Sequence, residues 1–204
     1  MKIVLLVEGA TEKVFIPYLR RFLKTRVKNM PKLHPHKYDG RVPTHDKLKR
    51  IVEINLSGKD AADYVIALTD VYTGSNPPDF TDAADAKQKM NTWVGNEPRF
   101  FPHAAQYDFE AWLLPYWEII QKIARHNMAC PGNNPETVNH QKPPAYRIKE
   151  IFEKGKFRSY IKPRDAGRIL GETNDNLLTA INSCSELKAL INTILRLCGE
   201  EIIS

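Results

Sequence analysis

The sequence has no run of about 18 apolar residues, the length a helix needs to cross a bilayer, so no transmembrane helix is expected. It also lacks the basic, apolar, small-residue layout of a secretory leader, because Glu8 and Glu12 interrupt the apolar run at the start. Cysteine is scarce: Cys130, Cys184 and Cys198 are an odd, widely spaced set without a metal-binding pattern. That favours reduced thiols in a cytoplasmic protein. Neither a P-loop nor a dinucleotide fingerprint is present, which argues against ATP hydrolysis by this chain alone. Internal repeats and low-complexity tracts are missing too. With 42% hydrophobic and 26% charged residues over 204 positions, the composition is globular and excludes wholesale disorder.

What is present in excess is positive charge, and it is uneven. The formal charge is 30 Lys+Arg minus 24 Asp+Glu, or +6. Residues 1–60 hold 14 basic and 6 acidic residues, a net of +8, so the other 144 residues sum to −2. Residues 61–128 hold 5 basic against 9 acidic residues, and residues 142–168 hold 9 against 3. Two basic segments flank an acidic middle. One reading is a solvated surface of no consequence. Another is a phosphate-rich partner held beside an acidic, metal-binding centre.

Hydrophobic patterning outlines the fold. Residues 2–7, KIVLLV, read as a buried strand ending at Glu8-Gly9. Thr11 is placed to cap a helix running from Glu12 to about Val27, with Pro17 expected to bend it or delay its start. Residues 28–45, with Pro31, Pro35, Gly40 and Pro43 among basic residues, read as a mobile loop. A helix is expected near 46–54, a second strand at 64–69 ending on Asp70, and a helix near 82–93. A third strand is expected at 99–107 and a long helix from Phe109 to Arg125 that Pro115 would kink. Short helices follow near 143–154, 165–170, 174–182 and 185–198. The fold class is therefore α/β: a parallel sheet flanked by helices over residues 1–128, with a mainly helical extension, 129–204, packed on that core.

Carboxylates fall at strand ends. Glu8 follows the first strand, Asp70 the second, and Asp108 and Glu110 the third. Open α/β sheets bind ligands outside the carboxyl ends of their strands. Acids crowded at one edge repel unless a cation joins them. Mg²⁺ takes oxygen ligands, few carboxylates among them, and completes its shell with water and phosphate. Any one of these acids alone could instead be a helix cap.

At these residues the sequence resembles a known family. LLVEGATEKVFIPYL, residues 5–19, resembles the opening motif of the Toprim domain, closest to the branch found in the overcoming-lysogenization-defect (OLD) nucleases. YDFEAWLL, residues 107–114, and YIKPRDAGRI, residues 160–169, resemble motifs of a small bacterial Toprim-like family of unknown function. Its members are often encoded beside ABC-type ATPases in defence-like loci. The resemblance implies a Toprim-like fold. It implies that Glu8 is a metal ligand or general acid/base, that Glu12 four positions on helps bind metal, and that Asp70 is the first aspartate of an Asp-x-Asp pair. The second aspartate is replaced by Tyr72, a poor Mg²⁺ ligand, and Asp108 and Glu110 match the third acidic motif. Lys162 matches a family lysine suited to neutralise charge on the phosphate or leaving oxygen. Arg147 lies in PPAYRIKEI, similar to another family segment, and could fork onto phosphate.

Three functions stay open on the sequence. One is a nuclease in which Mg²⁺ (or Mn²⁺), held by Glu8, Asp70 and Glu110 with Glu12 and Asp108 in support, cleaves DNA or RNA, as an effector of anti-phage defence. Another is a non-catalytic Toprim-like module that binds an ATPase partner. The last is an unrelated α/β domain with coincidental acids. Elsewhere the spacing argues for structure: His103 and the Trp112, Tyr116, Trp117 cluster read as core, and His34, His36 and His45 have no zinc-like spacing.

Overall fold

The computed structural model describes residues 1–38, 40–139, 141–174 and 177–204. Four parallel strands, β1 (Lys2–Val7), β2 (Lys32–Lys37), β3 (Tyr64–Asp70) and β4 (Phe100–Ala105), form one sheet in the order β2-β1-β3-β4. They alternate with α1 (Ala10–Lys24), α2 (His45–Asn55) and α3 (Ala83–Val94). After β4 come two 3₁₀ turns, Phe109–Trp112 and Leu114–Tyr116, and then α4 (Trp117–Ala124). The chain ends with α5 (Pro144–Gly155), α6 (Lys162–Gly171), α7 (Leu178–Ser183) and α8 (Ser185–Leu197). This is the α/β class expected, a parallel sheet flanked by helices. Among the described residues no helix is long and apolar enough to cross a membrane.

Strand alternation divides the core. Ile3, Leu5 and Val7 of β1, with Ile66 and Leu68 of β3, face a large cluster built from α1 and the helices after β4. Val4, Leu6, Val65 and Ala67 face the other way, onto Leu48 and Val52 of α2 and Met90 and Val94 of α3. Burial on both faces explains why β1 and β3 read as unbroken apolar runs.

Several expectations fail locally. Residues 32–37 are a strand, not part of a mobile loop (Asp39, within that span, lies outside the described residues). Strand parity explains how Pro35 is tolerated. The Lys32 N–H donates to the Met1 carbonyl and the Tyr38 N–H to the Val7 carbonyl, so even-numbered residues bond to β1. Pro35, at odd parity, would have aimed its missing N–H at the open edge, where no ladder bond is lost. Helix α1 runs through Pro17, which is exposed beside exposed Lys13, so the carbonyl it orphans meets solvent. The helix starts at Ala10 with Gly9 as its cap, not Thr11. The long helix after β4 is instead two buried 3₁₀ turns before α4, with Pro115 in the second. Of the helix expected at 174–182, residues 175 and 176 lie outside the described residues, and the observed α7 begins at Leu178.

Close approach of α6 to α1 depends on Gly167. A Cβ there would sit 3.0 Å from Val14 Cγ1, and the Gly167 carbonyl accepts the Tyr18 hydroxyl at 2.7 Å. That contact sets where the first residue of α6, Lys162, can reach.

Candidate functional site

Because β1, β3 and β4 are neighbours, the residues after them meet at one edge of the sheet. Glu8 directly follows β1 and is buried. Its Oε1 accepts the Asp70 N–H at 3.0 Å and the hydroxyl of buried Thr69. Burial, partly offset by those bonds, raises its pKa to about 7 from the ordinary 4.5. Glu12, in the first turn of α1, is buried as well, and its Oε2 accepts the Gly9 N–H at 3.0 Å. Burial and then the nearby Glu110 hold its carboxyl above the usual range.

Asp70 closes β3. The residue keeps some exposed surface, but burial of its carboxyl pushes the pKa well up, and Glu8, Glu12, Asp108 and Glu110 all push the same way. On the β4 side, Tyr107 takes a left-handed φ of 69° and turns the chain into Asp108. Asp108 Oδ2 accepts the Ala145 N–H at 3.1 Å, at the start of α5. Its Oδ1 is buried and has no hydrogen-bond partner among the described residues. Burial and Glu110 raise the Asp108 pKa to about 8. Glu110 is 1% exposed, and it accepts the Tyr160 hydroxyl at 3.2 Å and the Lys162 ammonium at 3.1 Å. Burial works against the Lys162 charge, but Glu110, Asp108 and Asp70 outweigh it and hold its pKa above the ordinary value.

Asp70 thus feels all four other carboxylates, and Lys162 feels Glu12, Asp70, Asp108 and Glu110. Glu8, Glu12, Asp70 and Lys162, with Gly9, Gly40 and Pro163, line an open cleft of about 320 Å³. Among the described residues no three His, Cys, Asp or Glu side chains converge as they stand into a group that could hold a metal ion. A hard dication needs only one or two direct carboxylates, water supplying the rest. The chemistry of the donors, all carboxylate oxygens, fits such an ion, and so does the orphaned Oδ1 of Asp108.

Lys162 is held by a buttress that sequence reasoning missed. Asp165 is fully buried and accepts Arg158 at 2.7 Å, the Ile161 N–H at 2.8 Å and Arg164 at 3.2 Å. Burial alone would raise its pKa, but these bonds win and lower it. Removing the carboxyl with Asp165→Ala leaves Arg158 without its buried partner. Chemical denaturation at neutral pH should show a loss of about 3 kcal/mol. The contribution is full above the ordinary aspartate value of 3.8 and is lost as pH falls through the depressed folded value.

Other expected residues lie elsewhere. Arg147 pairs along α5 with Glu150 at 3.7 Å. His103 is buried against the Thr193 hydroxyl at 3.1 Å, and burial pushes its pKa down to about 3. Trp112, Tyr116 and Trp117 are core. His34 and His36 sit on the edge strand β2, and the His45 ring lies against Trp93. Thr69 and Tyr160 hold Glu8 and Glu110, and no spacing in the sequence marks them; only the register of β3 and the fold of the tail do.

A family model described as "Domain of unknown function (DUF4276)" matches residues 7–195. No curated protein matches the chain significantly. Among solved structures, the C-terminal region of the Burkholderia pseudomallei OLD protein is similar with a TM-score of 0.48 and 12% identity, covering 96% of this chain and 98% of that one.

Proposed function

Since the chain belongs to the DUF4276 family, whose description names no reaction, we propose from the cleft itself that the protein is a metal-dependent nuclease cleaving phosphodiester bonds in DNA or RNA. One observation carries this reading. Carboxylates from the ends of three adjacent strands and the start of α1 bear on one another and on Lys162, and burial and mutual repulsion raise the pKa values of Glu8, Glu12, Asp70 and Asp108. Such a cluster is short of positive charge. A divalent cation and the phosphate it brings would complete it.

In this reading Asp70 and Asp108 would hold Mg²⁺ or Mn²⁺, Asp70 because the other four acids all repel its charge and Asp108 through its unpartnered Oδ1. Glu8 and Glu12 would support the ion through its waters. When bound, the ion polarises a phosphate oxygen and acidifies a water. Glu8, with a pKa near neutrality, can take a proton from an attacking water. The Lys162 ammonium, half exposed and paired to Glu110, is set to meet the charge that develops on the phosphate. Tyr160 and Thr69 keep Glu110 and Glu8 in place. The basic segments at 1–60 and 142–168 would track the backbone.

The test is direct. Purified protein is incubated with plasmid, single-stranded DNA and structured RNA, in Mg²⁺, Mn²⁺ or EDTA. Cleavage that needs the metal and disappears in Asp70→Asn is expected. Cleavage that persists in EDTA or in Asp70→Asn overturns the assignment. No cleavage of any substrate would favour a non-catalytic module that binds an ATPase partner.

A further inference from the structure

Tyr72 stands two residues past Asp70, at the mouth of the sheet edge, and is 40% exposed. Its backbone is fixed, the N–H donating to the Tyr107 carbonyl at 2.7 Å. The two rings lie 5.3 Å apart at 49°. Its hydroxyl accepts the Asn139 amide at 2.6 Å, which clamps the ring at its far end. Tyr107 holds its left-handed backbone conformation, a costly one for an aromatic residue, immediately before Asp108. The Asn139 carbonyl accepts the Lys142 N–H at 2.7 Å, and the Lys142 ammonium lies 5.1 Å from the ring centre of exposed Tyr146. Tyr146 adjoins Ala145, whose N–H holds Asp108. Hydrogen bonds and chain neighbours therefore link aromatic rings and a cation to the Asp108 side of the carboxylate cleft.

We propose that Tyr72, backed by Tyr107, is a stacking platform for an unpaired nucleobase, which makes the substrate single-stranded nucleic acid or an unpaired loop. The inference deepens the nuclease reading and rests on it for the identity of the ligand. A base in a duplex has its faces covered by its neighbours, whereas an unpaired base can leave the stack and lie on an aromatic ring. Stacking is indifferent to sequence because every base has a π-face. Tyr72 follows the cleft residue Asp70 by two positions, so the base it holds would belong to a nucleotide near the scissile phosphate. Lys142 would meet the adjoining backbone.

The protein is titrated in EDTA with a short single-stranded oligonucleotide, as DNA and as RNA, carrying one 2-aminopurine, and with the corresponding duplex. Stacking should quench the fluorescence, and the single strand should bind more tightly than the duplex. Tyr72→Ala should bind about tenfold more weakly with the quench lost, the loss expected for one base–aromatic contact. Tyr72→Phe, which keeps the ring, should retain the quench. Tyr72→Leu keeps apolar bulk without a π-face and should behave like the alanine variant, which separates stacking from a folding defect. No quench, equal binding of strand and duplex, or wild-type affinity in Tyr72→Leu overturns the inference. Quenching without any metal-dependent cleavage would retain the platform and remove the nuclease. Cleavage without quenching would do the reverse.

Discussion

Glu8→Gln is expected to abolish metal-dependent cleavage and, at the same time, to raise the melting temperature of the metal-free protein near pH 8. Both effects come from one buried carboxyl. Glutamine keeps an oxygen to accept the Asp70 N–H and the Thr69 hydroxyl, so the local geometry survives. It removes the charge that the cleft cannot solvate. In the unfolded chain Glu8 titrates near its ordinary 4.5, but in the fold near 7. Between those values the folded state retains a proton that the unfolded chain has released, so stability falls as pH rises through the window. Above about 7 the penalty is complete, on the order of 3 kcal/mol, and glutamine escapes it. The gain in melting temperature should be about 6–12 °C near pH 8 and vanish near pH 4, where the carboxyl is protonated in both states. Saturating Mg²⁺ should stabilise the wild type more than the variant. Scanning calorimetry at the two pH values, with and without EDTA, checks all of this. A variant that melts lower than wild type near pH 8 in EDTA contradicts the burial argument.

Lys162→Met should slow cleavage by about 10²-fold or more while tightening the cleft's hold on a divalent cation. The side chain is 50% exposed, so its loss removes little packing. What it removes is the one ammonium hydrogen-bonded to buried Glu110, whose charge also bears on Asp108 and Asp70. Without it the carboxylates present a deeper negative potential, and Mg²⁺ should bind more tightly by calorimetric titration. Cleavage falls because the charge on the phosphate in the transition state loses its partner. A lysine that merely held α6 in place would show a different pair of results: slower cleavage with unchanged cation affinity, and a lower melting temperature.

The strands around the site were the most legible part of the chain. β1 and β3 are buried on both faces, and such strands announce themselves as apolar runs with an acid at the end. The positions of Glu8 and Asp70 follow from that, and Asp108 and Glu110 join them because β4 lies beside β3. β2 was hidden because KLHPHK buries only Leu33 among its exposed polar positions, and its proline suggests a loop to any reading that ignores which edge of the strand it occupies. The turns after β4 were hidden for another reason. Phe109, Glu110, Ala111 and Trp112 are all buried, so no face is left to show a helical period. Glu110 was found as an acid, but its pairing with Lys162 and Tyr160 joins residues about fifty positions apart and depends on how α6 docks on α1. The Asp165 buttress is equally nonlocal. Tyr72 entered only as a missing aspartate, since exposure cannot be read from one residue in a turn.

The outer border of β2 has a consequence for assembly. A sheet can recruit further chains only where its last strand offers a continuous row of donors and acceptors. Here that row is broken at Pro35, and Lys32, His34 and Lys37 surround it with charge and polarity. The same proline that disguises the strand in the sequence removes a donor from this edge, which works against strand pairing by a second copy or an unfolded neighbour.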